Sequence, residues 1–195
     1  MSIKNTAREA ALSQSRLLIQ ICAKTIRAIH REEYGNVQEL LSQATEIAAA
    51  LRFSVANDHD LYHAGYTQDS LKEFVEANVL LALVTENPLP TPEALQVEVS
   101  TYLKGLSEAA TELRRRTLDI IRHDHSAEAE RLLEAMEEIF SLLGTIDFPD
   151  AITAGLRRNT DVLRSVLERT RGDLTISLRQ QRLQEALRKT EDNVI

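Results

Sequence analysis

Leu71–Val84 reads LKEFVEANVLLALV, and it is the most apolar segment of the chain. From Phe74 to Val84 only Glu76 and Asn78 are polar. A helix that is apolar nearly all round is buried on most sides. Glu73 and Glu76 nevertheless lie inside it, three residues apart and therefore on one helical face, which Asp69 and Leu80 share. A buried carboxylate has to be paired, hydrogen-bonded, protonated or bound to a metal. Two answers stand open: a cation from a neighbouring helix, with Arg157 and Arg164 as candidates, or a divalent metal ion in a wet cavity.

Working outward from this segment, the chain is read as helix throughout. It has 195 residues, 43% of them hydrophobic and 27% charged, which suffices for one domain with a real core over residues 1–195. Aromatic residues are 4%, with no tryptophan and few glycines or prolines, a composition that favours helix. Cys22 is the single cysteine, which excludes a disulfide framework and a thiolate zinc site. The net charge of −7 argues against a protein that coats nucleic acid along its whole surface. The longest apolar run, Val79–Val84, is far short of the ~20 residues of a membrane span. MSIKNTAREAALSQ has no apolar signal core, so the default expectation is a cytoplasmic protein without membrane association.

Helical periodicity predicts an amphipathic first helix from Thr6 to about Arg31. Ala11, Leu18, Cys22, Thr25 and Ile29 form one side of it; Arg16, Gln20, Lys24, Arg27 and Arg31 form the other. That basic stripe is either a solvated face or a strip for phosphate contacts. Gly35 and Asn36 are expected to break the chain before a second helix, Val37–Phe53. His59 and His63 fall in an irregular connection, as exposed loop histidines or as a metal or phosphate pair. The third helix, from about Thr67, holds the opening segment and stops before the proline-rich stretch 87–92. Thr91 and Pro92 then read as cap and first residue of a fourth helix, continuing to about Arg122 with a bend near Gly105. Glu108, Glu112 and Asp119 lie opposite its apolar side. A turn at His123–His125 with Ser126 as cap leads into a fifth helix, Ala127–Leu143. A sixth runs from Phe148–Pro149 to Thr170. Arg171-Gly172-Asp173 reads as a break before a seventh, Leu174–Lys189. The expected fold is an all-α, seven-helix domain.

Several chemistries are absent from the pattern. There is no phosphate-cradling glycine-rich loop and no cysteine–histidine nucleophile pair. No glutamate is followed three residues later by histidine, as a di-iron bundle requires. What remains is an oxygen-rich set: Glu73 and Glu76 from one helix, Glu108 and Glu112 from another. Such ligands suit Mg²⁺ or Mn²⁺, and such a site supports phosphodiester hydrolysis.

The segments LKEFVEAN (71–78), YLKGLSEAATELRRR (102–116), MEEIFSLL (136–143) and LRRNTDVLRSVLERTRGDL (156–174) resemble the translin family, specifically its translin-associated factor X (Trax) branch. The resemblance implies a metal-dependent endoribonuclease acting on single-stranded or nicked RNA. It places catalytic, metal-binding acids at Glu73, Glu76, Glu108 and Glu112; animal Trax has aspartate where Glu108 stands. It also implies a hollow homo-oligomer, often an octamer, with these acids facing the lumen. Arg16, Lys24, Arg27, Arg31, Arg114 and Arg115 are the basic candidates for RNA contact. The alternative is the translin-like role, a non-catalytic oligomer that binds single-stranded RNA or DNA. A third possibility is a plain helical bundle in which Glu73 and Glu76 pair with arginines.

Overall fold

The computed structural model describes residues 2–122 and 126–192, and within them it contains helices and connections but no strand. Six long helices carry the fold: α1 (Ser2–His30), α2 (Tyr34–Val55), α4 (Gly65–Val84), α6 (Val99–Ile121), α7 (Ser126–Gly144) and α9 (Leu156–Asp192). Three single turns lie between them: α3 (His59–Tyr62), α5 (Pro92–Leu95) and α8 (Asp150–Thr153). The expected turn at His123–His125 lies outside the described residues, as does the side chain of Ser126.

The apolar segment sits at the centre, as its composition demands. α4 packs against α1 on one side and α6 on the other; α2 covers α1, while α7 and α9 cover α6. Leu71, Val75, Ala77, Val79 and Leu80 are fully buried. They join Leu18 and Ile29 of α1, Leu106 and Leu113 of α6, Leu132 and Met136 of α7 and Leu163 of α9 in one continuous core. Glycine at 105 sets the α4–α6 distance. A Cβ there would lie 2.6 Å from Val75 Cβ and 2.8 Å from the Lys72 carbonyl oxygen, so only glycine lets the two backbones come this close.

The structure corrects several sequence expectations. Instead of breaking at Gly35 and Asn36, the chain breaks earlier, where Glu32 adopts a left-handed conformation (φ 59°). Gly35 and Asn36 then fall in the first turn of α2, with Asn36 Nδ2 donating to Glu33 at 3.2 Å. The expected fourth helix is divided. Thr91 does cap a turn beginning at Pro92, accepting from the Ala94 N–H at 3.2 Å. That turn ends at left-handed Gln96, and α6 begins at Val99. Arg52 holds the break by donating to the Leu95 carbonyl (3.3 Å) and to Gln96 Oε1 (3.1 Å).

The expected sixth and seventh helices are one. α9 runs through Gly172 without interruption, and the helix start expected at Phe148–Pro149 is only the short turn α8. Mid-helix glycine costs roughly 0.5–1 kcal/mol relative to alanine. The surrounding residues offset that. Thr170 and Leu174 are buried, Arg114 donates to Thr170 Oγ1 (3.2 Å) and Asp173 (2.8 Å), and Arg171 pairs with Glu137 (2.7 Å). From Arg182 to Thr190 α9 is exposed.

Two glycine substitutions should therefore act in opposite directions in urea denaturation. Gly105→Ala should destabilise by about 1–3 kcal/mol through overpacking. Gly172→Ala, which meets no atom within 4 Å, should stabilise by roughly 0.5–1 kcal/mol. A loss at Gly172 would mean that residue needs a conformation closed to alanine.

Candidate metal centre

The close approach of α4 and α6 gathers acids. One turn of α4 presents Glu73 and Glu76; α6 presents Glu108 one turn beyond Gly105. Each of the three offers a carboxylate oxygen, and these oxygens lie within 4.8 Å of one another. Glu76 is the innermost, 8% exposed, and among the described residues no hydrogen bond or ion pair satisfies it. Burial, then the negative charges of Glu73, Glu108 and Glu112, push its carboxyl up to about 8, with Lys72 acting in the opposite direction.

Neither arginine expected to neutralise the pair is there. Arg164 pairs with Glu168 at 3.4 Å, and Arg157 lines a separate cavity of about 740 Å³ beside the α7–α8 connection. The compensating cation is Lys72, from α4 itself. Its Nζ lies 2.6 Å from Glu108 Oε2 and 3.4 Å from Glu73 Oε1. Burial works to lower the pKa of that amine, but its hydrogen bond to Glu108 and the charges of Glu108 and Glu73 leave it raised. Asn159 of α9 donates to the other Glu108 oxygen at 3.2 Å.

Glu112, the fourth expected acid, is not part of this group. It lines the same cavity, about 430 Å³, together with Glu76, Ser107, Glu108, Thr111, Arg158, Asn159 and Val162. Its carboxylate faces His30 Nε2 at 3.8 Å, too long for a hydrogen bond. The neighbouring imidazole holds Glu112 below the usual carboxylate range, against the burial that works to raise it. His30 is itself buried, its side chain 2% exposed, and neither ring nitrogen has a hydrogen-bond partner. Cys22 lies behind the cluster on α1. Burial and the charges of Glu73 and Glu76 push its thiol far up, so it supplies no thiolate.

The basic candidates disperse. Lys24, Arg27 and Arg31 line a cavity of about 200 Å³ between α1 and α2, and Arg16 is exposed on α1. Arg115 is exposed beside Glu112, where its charge helps to hold that carboxyl low and the two line a neighbouring cavity of about 350 Å³. Arg114, expected as an RNA contact, is committed to Thr170 and Asp173, because the uninterrupted α9 brings those residues alongside it. His59 and His63 stack at 6.3 Å, and His63 Nδ1 lies 3.7 Å from Glu98; no metal-type cluster forms there among the described residues.

Sequence reasoning missed Lys72, Asn159, Arg158 and His30. Lys72 sat inside the decisive segment, but adjacent helical residues diverge by about 100°, so the period alone turned it away from Glu73. Its long flexible stem overrides the period.

No protein-family model matches the chain. A relative from Methanocaldococcus jannaschii, uncharacterized protein MJ0175, is 30% identical over 190 residues, covering 96% of this chain and 84% of that protein. Among solved structures, the AfC3PO–duplex RNA complex superimposes with a TM-score of 0.81 at 29% identity, covering 89% of this chain and 90% of that one. C3PO chains are of the translin and Trax type. The chain is similar to the translin family in fold and in sequence. Apo-NeC3PO, a translin-type structure with a TM-score of 0.82 over 89% of this chain and 90% of its own, is 20% identical and bears on the fold alone. The translin fold is thus shared, and no helix among the described residues is long and apolar enough to cross a membrane.

Glu76 has a measurable consequence for the metal-free protein. Its folded pKa, about 8, lies above the ordinary 4.5. Between those values the folded state holds a proton that the unfolded state has lost, so stability should fall as pH rises from about 5 to 8. Denaturant melts in chelator should show this decline, of a few kcal/mol at most, and Glu76→Gln should flatten it. A wild-type curve that rises over this window would mean that Glu76 is ionised and well compensated.

Proposed function

We propose that this protein is a metal-dependent endoribonuclease of the Trax-like branch, acting on single-stranded or nicked RNA inside a hollow homo-oligomer. The observation that carries the reading is the buried, unpartnered Glu76 carboxyl between Glu73 and Glu108. A purely structural core gains nothing from three acids in one place. The donor set fits a hard divalent ion. Two oxygens on opposite sides of Mg²⁺ are about 4.2 Å apart, so oxygens within 4.8 Å of one another need only a small rotamer adjustment.

Glu73, Glu76 and Glu108 would hold Mg²⁺ or Mn²⁺, which supplies charge neutralisation at the phosphate and a more acidic water. The remaining side chains of the cavity divide the other tasks. Glu112 stays ionised and is free of the acid group, so it orients the attacking water and accepts its proton. Arg158, whose guanidinium has no ion pair among the described residues, holds the RNA phosphate at the mouth of the same cavity. Asn159 keeps Glu108 in place.

The AfC3PO structure holds duplex RNA, which supports RNA as the ligand class here and adds duplex ends to the substrates worth testing. The exposed apolar side chains Leu17 and Ile19 on α1, and Val162, Ile176, Leu183 and Leu187 on α9, supply surface for subunit contacts. Assembly into an octamer would put the acid-lined cavity in an enclosed, wet space.

Incubation of labelled single-stranded and nicked RNA with Mg²⁺ or Mn²⁺ should give endonucleolytic products that chelator abolishes. Glu76→Gln should lower cleavage at least ~10²-fold with binding retained. Arg158→Ala should weaken RNA binding and flatten its salt dependence. RNA binding without cleavage in either metal would leave the translin-like role, a binding oligomer. Mass photometry should show a multimer, and a monomer would sink the enclosed-cavity reading.

A further inference from the structure

Lys72 already puts a positive charge in the acid group. Its side chain is 15% exposed, and its ammonium touches two of the three acids, Glu108 at 2.6 Å and Glu73 at 3.4 Å. The second oxygen of Glu108 is taken by the Asn159 amide at 3.2 Å. Neither oxygen of Glu108 is therefore unclaimed. The amide is neutral and leaves that oxygen a further lone pair. The ammonium differs, because it carries the same sign as any metal ion that would use Glu73 and Glu108. Two cations at ligand distance from one carboxylate repel strongly in a half-buried site.

We propose that Lys72 is the resident counter-ion of Glu73 and Glu108, stabilising the metal-free fold and competing directly with the divalent cation, so that it sets the affinity of the site. The inference rests on reading Glu73, Glu76 and Glu108 as metal ligands. Lys72 offsets the mutual repulsion of the acids while the protein folds, and the same charge weakens cation binding afterwards. Lysine suits this role better than arginine. A compact ammonium on a four-carbon stem releases a carboxylate by simple bond rotations, whereas a guanidinium grips it with a two-point fork. The other cations near the cavity do not substitute for it: Arg158 lines it without pairing to these acids, Arg115 acts on Glu112 and not on the three, and Arg114 is tied to Thr170 and Asp173.

The test is calorimetric titration of Mn²⁺ into metal-free wild-type protein and into Lys72→Met, with thermal melts of both. Lys72→Met should bind Mn²⁺ at least about tenfold tighter, the ratio expected for losing one charge-assisted hydrogen bond from the competing state. Its metal-free Tm should fall, and Mn²⁺ should raise its Tm by more than that of wild type. Wild-type binding together with unchanged or weaker binding in Lys72→Met overturns this inference and leaves the triad as a metal site. Absence of Mn²⁺ binding in both proteins overturns the inference together with the reading beneath it. A second measurement uses wild type alone, in case Lys72→Met does not fold. Saturating Mn²⁺ should increase acetylation of Lys72 several-fold by mass spectrometry, with exposed Lys24 as the internal reference. An unchanged or reduced rate overturns the proposal.

Discussion

The contact of α4 with α6 at Gly105 is the constraint from which the rest of the molecule follows. With Val75 Cβ 2.6 Å and the Lys72 carbonyl 2.8 Å from where a Cβ would stand, the helices meet almost backbone to backbone. That approach carries Glu108 into the space already held by Glu73 and Glu76. Helices separated by ordinary side chains would lie 8–10 Å apart and leave more room between the same acids. The core around the contact, from Leu18 to Leu163, is conventional aliphatic packing and supplies the stability against which a buried, unpartnered carboxyl is tolerated.

Charge around the cluster is arranged asymmetrically. Lys72 serves Glu73 and Glu108, His30 faces Glu112, and Glu76 is left without a partner. One acid is thereby raised to about 8 while Glu112, lining the same cavity, is held low. Carboxyls whose environments push them apart in this way are a usual mark of a site that handles protons or cations. The chain that carries this arrangement shares the translin-type fold of the AfC3PO and NeC3PO structures over about nine-tenths of its length.

Local signals in the sequence succeeded where they were strong and failed where distant side chains decided. Thr91-Pro92 began a helical turn as its residues dictate, because a cap and a following proline act within one turn. Gly172 did not end a helix, because Arg114, Arg171 and the buried Thr170 and Leu174 hold the backbone helical from outside. Pro92–Ile121 did not form one helix, because Arg52 fastens a left-handed residue at Gln96. Both failures depend on partners more than 30 positions away, which periodicity does not register.

By itself the sequence determined an all-helical chain with LKEFVEANVLLALV at its centre and Glu73 and Glu76 on one face of that helix. Composition and the 3.6-residue period are local properties, and burial follows from them. Only the tertiary structure decided which acids converge. It brought Glu108 to the pair through the glycine contact, turned Glu112 toward His30, and supplied Lys72 and Asn159 as the groups that touch the cluster. Distances between side chains on different helices depend on interhelical packing, and no single helix encodes that packing.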